Sequence, residues 1–175
     1  MGKEKENKNT ESSEKEINKF FDSKNYNTII VKSEGHSKKE NDISEIIISL
    51  IDGNLSKEER DSSLSSIKEQ NNREILLSSI RTIENPDKKA LLIAACWEVG
   101  FDFSDEFLMF IDLACSDSFE VALEALTVIE TIDGEIVRSD LEKAKLKVIE
   151  KLKTDPDTSD LLRDLQRFIN RRLHN

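Results

Sequence analysis

Glycine and proline are scarce in this chain, at five and two residues out of 175. Sandwiches and barrels need frequent turns, and turns draw on both residues. The scarcity therefore argues against those folds and for helices joined by short loops. No apolar run approaches the roughly 18 residues that a membrane-spanning helix requires. Histidine occurs only as His36, in a polar stretch, and His174, one residue from the end. Neither is placed to act as a buried general base. The two cysteines, Cys96 and Cys115, both sit in apolar runs and read as buried free thiols rather than a disulfide or a metal pair. There is no glycine-rich phosphate loop, no HExxH, no nucleophile elbow and no Cys/His metal spacing. The expectation is a protein that is not an enzyme, with no catalytic residue, no cofactor and no metal.

Positive charge is missing from one long stretch. Ala90 to Val137 contains no Lys or Arg and eleven carboxylates. Residues 1–42 balance to zero, 43–89 carry −2 and 138–175 carry +3, so the net charge of −10 belongs to the middle of the chain. Such a surface repels phosphate backbones, which disfavours nucleic acid and anionic membranes as partners. The N-terminal MGKEKENKNTESSEKE lacks the apolar core of a secretory signal, and Glu6 stands where a myristoylation pattern wants Ser or Thr. With the free thiols this points to a cytoplasmic protein. The Lys-, Asn-, Ile-, Glu- and Ser-rich usage resembles that of AT-rich bacterial genomes.

Residues 1–13 have no apolar side chain after Met1 and are expected to be a disordered polar tail. Residues 14–41 form a segment whose conformation periodicity does not decide, ending in a polar linker. Residues 42–175 read as a single all-helical domain. Start signals recur along it: Asp42 with Glu45, Ser56 with Glu59, Asn71 with Glu74, Asn85-Pro86, Ser104 with Asp105 and Glu106, Asp117 with Glu120, and Asp155-Pro156. Gly53, Gly100 and Gly134 supply stops. The stretch after Pro86 is apolar on nearly every side and carries the single tryptophan, Trp97, which the composition places in the core.

From Asn71 onward the helices fall into pairs, 72–84 with 86–99, 104–115 with 117–133, and 135–153 with 156–173. The second members share four-residue steps after their starts, at Ala90 and Ala94, Val121 and Ala125, and Leu161 and Leu165. This pattern resembles HEAT and armadillo repeat proteins, in which helical hairpins stack into an α-α superhelix. Asp87, Asp117 and Asp157 partly keep the family's aspartate. Its arginine is absent, with Leu91, Ala122 and Leu162 at those positions. The resemblance implies stacked antiparallel hairpins and a binding surface, and transfers no functional residue. An irregular helical bundle is the alternative.

Two readings stand for the acidic middle. It is either a solvated side relieved by the basic C-terminal helices, or a docking face. In the second, Glu120, Glu124, Thr127 and Thr131 form a polar stripe on helix 117–133, with Glu98 nearby. Second helices line the concave side in HEAT-like proteins, which would aim the stripe into a groove. The partner would be a protein with a basic or amphipathic segment, or a second copy whose basic end meets the acidic middle. Basic residues at four-residue steps mark that end: Lys143, Lys147 and Lys151, then Arg163, Arg167 and Arg171. An alternative function is small-molecule binding, or an enzyme accessory role, in an apolar pocket around Trp97, Phe101, Phe103 and Phe107. A third, action on DNA as in some solenoid glycosylases, needs a basic groove, and the expected groove is acidic. Asp102, Asp105 and Glu106 lack EF-hand spacing and read as helix-start residues.

Overall fold

The computed structural model describes residues 37–154 and 159–174, with side chains described for 43–154 and 160–174. The expected tail 1–13, most of segment 14–41 and the Asp155-Pro156 start lie outside them. Within the described residues the protein is all-α. Its helices are α1 (Ser37–Asp52), α2 (Lys57–Glu69), α3 (Arg73–Thr82), α4 (Pro86–Val99), α5 (Phe107–Ala114), α6 (Phe119–Glu130), α7 (Arg138–Thr154) and α8 (Ser159–His174). A single 3-10 turn, Ser104–Glu106, precedes α5.

The chain divides into two compact units, residues 1–92 and 93–175, with the boundary inside α4. In the first unit α1 packs on α2. The expected start of α1 at Asp42 is corrected: the helix begins at Ser37. One face of it is apolar, with Ile43, Ile47, Leu50 and Ile51 buried and Ile46 half-buried. Gly53 ends it at φ +70°, a conformation that is cheap only without a Cβ. The capping box of α2 is present in both directions. Ser56 Oγ accepts from the Glu59 amide at 3.3 Å, and Glu59 Oε2 accepts from the Ser56 amide at 2.9 Å. Those bonds hold the Glu59 carboxyl below its usual range. The start expected at Asn71 moves by one residue. Asn72 is the N-cap of α3, without a side-chain cap, and Asn71 takes a left-handed φ of 53°.

The second unit is built on α5 to α8. The link 115–118 is too short to do anything but reverse the chain, so α5 and α6 pair as a hairpin. The last two helices, α7 and α8, form a second pair. First member packs on first member, α5 on α7, and second on second, α6 on α8. The core between them is made by Phe107, Phe110, Ile111, Val121, Ala125, Val128, Ile129, Leu141, Ala144, Val148, Leu162 and Leu165, all buried. Ala125, Ala144 and Phe110 are all fully buried in it. Edge-on contacts tie Phe103 to Phe110 at 5.3 Å and Phe101 to Phe103 at 6.3 Å.

Three local expectations are corrected here. The 3-10 turn at Ser104 is set by Asp102, which accepts from the Ser104 amide at 3.1 Å and from its hydroxyl at 2.8 Å. Ser118, not Asp117, caps α6, its hydroxyl accepting from the Val121 amide at 3.4 Å. Glu135 to Val137 lie ahead of α7 rather than in it, and Val137 is exposed instead of packed.

Candidate functional site

The acidic helix α6 is two-faced. Val121, Ala122, Ala125, Leu126, Val128 and Ile129 are buried. The remaining positions, Phe119, Glu120, Leu123, Glu124, Thr127 and Glu130, recur at three- and four-residue steps and form the outer face. Along the expected stripe, Glu120 and Thr131 are exposed, and Glu124 and Thr127 are half-buried. The two threonines are already engaged by their own helix. Thr127 Oγ1 donates to the Leu123 carbonyl at 3.0 Å, and Thr131 Oγ1 to the Val128 carbonyl at 2.8 Å. What the stripe offers a ligand is therefore carboxylate. Glu98 is exposed beside Trp97 on α4.

Trp97 corrects the core assignment. Its side of α4 faces outward, and 37 % of the residue is accessible. The ring is not loose, because Nε1 donates to Glu124 Oε2 at 2.8 Å, joining α4 to the acidic face of α6. An indole N–H needs an acceptor once partly buried, and a carboxylate acceptor makes the stronger, charge-assisted bond. Two further large apolar side chains stand on α6 itself, Phe119 at 53 % and Leu123 at 41 % exposed. The site is thus an apolar strip edged by carboxylates, a mixture that neither the charge count nor the apolar count displays by itself.

Its electrostatics differ from those of Asp112 and Asp117. Lys147 on α7 bonds Asp112, and Lys151 bonds Asp117 at 2.7 Å. The basic C-terminal helices do relieve these two carboxylates, as the solvated-side reading expects. No such relief reaches the α6 face: among the described residues Glu120 and Glu124 meet Ser118 and Trp97 but no cation. Further along, Glu130 shares an open groove of about 450 Å³ with Asp164, Arg167, Asn170 and Arg171 of α8.

The residues of the expected aromatic pocket differ in exposure. Phe103 and Phe107 are consumed in the core, while Trp97 is outside and bonded to Glu124. Cys96 is buried and Cys115 half-buried, both as thiols. Burial pushes the Cys115 thiol up, against the nearby Lys147 and Lys151. Among the described residues no group of three His, Cys, Asp or Glu side chains is arranged to hold a metal ion, and no helix is long and apolar enough to cross a membrane.

Sequence reasoning found the carboxylates of this face and missed its apolar half. The omitted signal was available: Phe119 and Leu123 fall off the 121/125/128/129 core register, so a strict helical wheel places them outside. The Trp97–Glu124 bond, 27 residues apart in sequence, had no such signal. The class of protein that fold and site define is an all-α protein. No family model, no curated protein and no solved structure matches the chain.

Proposed function

We propose that this chain is a non-enzymatic protein-interaction or scaffold module of HEAT-like helical hairpins, working in the cytoplasm. Its docking surface is the outer face of α6 extended by Trp97. The packing of first helix on first helix and second on second in the second unit supports the HEAT-like reading. The observation that carries the docking reading is the strip of Trp97 on α4 with Phe119 and Leu123 on α6, set among Glu98, Glu120 and Glu124 in a stretch of sequence, Ala90 to Val137, without one Lys or Arg. Exposed aromatic anchors with a charged rim are what binding surfaces use. The complementary partner is a protein segment with apolar side chains flanked by Lys or Arg. Its apolar residues cover the strip, and its cations remove the repulsion among the carboxylates while steering the encounter.

Trp97 is the only tryptophan, so it reports its own site. Titration with a tryptophan-free amphipathic helical peptide of Leu and Lys should shift and saturate its fluorescence. Affinity should fall as salt shortens the Debye length from about 10 Å at 0.1 M to about 3 Å at 1 M. The double variant Glu120→Lys/Glu124→Lys should lose binding by about tenfold or more. Glu120→Lys alone, which leaves the indole bond intact, should lose part of it. Binding that ignores these reversals sinks the reading.

A further inference from the structure

The α6 face does not stand alone on its side of the second unit. α8 packs on α6, and Arg172 of α8 donates to the Ile132 carbonyl just beyond the end of α6. The outward positions of α8 include Arg163, Arg167 and Arg171 at successive four-residue steps, all exposed. Glu130 of α6 and Arg167 and Arg171 of α8 open onto the same groove, so the two faces look out the same way there. One layer of the unit therefore presents an acidic, apolar stripe beside a basic one.

The arginines are only lightly committed. Arg163 pairs with Asp160 at 3.0 Å and Arg167 with Asp164, each three residues away on the same exposed helix. Pairs of that kind contribute little and exchange readily. Among the described residues Arg171 pairs with no carboxylate. The acidic stripe beside them has no cation, as shown above.

Two parallel stripes of opposite sign on one layer are self-complementary. A two-fold axis lying in the interface, between α6 and α8 and along them, lays α6 of one copy over α8 of the other and the reverse. Each attractive contact then occurs twice, and the assembly closes. We propose that the docking face is filled by a second copy of this chain, in a two-fold dimer in which Glu120 and Glu124 of each protomer meet Arg163 and Arg167 of its partner. This rests on the docking reading above and names its occupant. The guanidinium groups also supply the cations that suit the exposed rings of Trp97 and Phe119. In this arrangement the negative middle and the positive end of the chain satisfy each other between copies. A head-to-tail chain of contacts would leave one stripe open at each end.

Sedimentation velocity of the full chain tests it, over a wide concentration range at low and at high salt. The expected result is a monomer–dimer equilibrium that weakens about tenfold or more at high salt and produces no larger species. Glu120→Lys/Glu124→Lys and Arg163→Glu/Arg167→Glu should each be monomeric, with circular dichroism confirming that both fold. Mixed in equal amounts, the two variants should recover the dimer, because each reversed stripe then finds its opposite. If a variant fails to fold, the salt titration of the unaltered chain still decides. A chain that stays monomeric at every concentration and salt overturns the proposal, and so does growth beyond the dimer. Should such a monomer still bind the basic peptide, the docking reading survives with another protein as occupant. If it neither dimerises nor binds the peptide, both fail.

Discussion

At the scale of single residues, Trp97 carries the most information. Its bond to Glu124 makes two predictions. Emission should be intermediate between buried and fully solvated, and acrylamide should quench it in the native state. Glu124→Gln keeps an acceptor and should change little, whereas Glu124→Ala should red-shift the spectrum and increase quenching. Ser56 and Glu59 give a second test. Ser56→Ala removes a cap and should cost about 1 kcal/mol in denaturant unfolding. Glu59 is held below the usual carboxylate range, so its contribution is present above that range and lost as pH falls through its lowered value. The stability gap between the chain and Glu59→Gln should therefore narrow as pH falls from neutral through the carboxylate range. Cys115, pushed up by burial, should react with iodoacetamide more slowly than glutathione at about pH 8, because less thiolate is present. Buried Cys96 should react only on unfolding, which mass spectrometry can follow.

At the scale of elements, most helices were legible because their signals are local. A serine followed three residues on by a glutamate makes the α2 box from four consecutive residues. Asn85-Pro86 starts α4 in the same way, with Asn85 Oδ1 accepting from the Lys88 amide at 3.0 Å. The misplaced starts share a cause. At Asp117 a neighbouring serine competes for the cap, and the aspartate is drawn away by Lys151, 34 residues later. At Ser104 the turn is held instead by Asp102, two residues upstream and outside the expected pattern. Gly134 belongs to the same device, since a Cβ there would collide with Asp102 Oδ2 and stand 2.9 Å from Ser104 Cβ. Gly134→Ala should displace this turn and destabilise the protein by about 1–2 kcal/mol. Gly53→Ala meets no crowding but keeps the positive φ, and should cost about 1 kcal/mol. Thermal unfolding separates the two effects if each is also made as Ser.

At the scale of the whole molecule, charge is distributed unevenly along the chain. Eleven carboxylates without a basic residue look uniform along the chain. Folding separates Asp112 and Asp117, met by Lys147 and Lys151, from Glu120 and Glu124 on the α6 face, which meet no cation among the described residues. Lys147→Ala and Lys151→Ala should each lower stability by at most about 1 kcal/mol, since exposed pairs are worth little. Neither should alter peptide binding at α6. Phe110→Ala, in the core of the second unit, should cost about 3–5 kcal/mol and mark the upper end of the series.

The sequence alone determined that the described residues are all-α, and where α2 and α4 begin. Each of those follows from residues within one or two helical turns. It also determined that the negative charge sits between Ala90 and Val137. Only the tertiary structure decided that Trp97 lies outside the core, that Phe119 and Leu123 join it on the acidic face, and that the arginines of α8 share a groove with Glu130. These depend on which side of each helix its neighbours cover. That is a property of packing between elements far apart in sequence, and a helix apolar all round, such as α4, contains no periodicity from which to infer it.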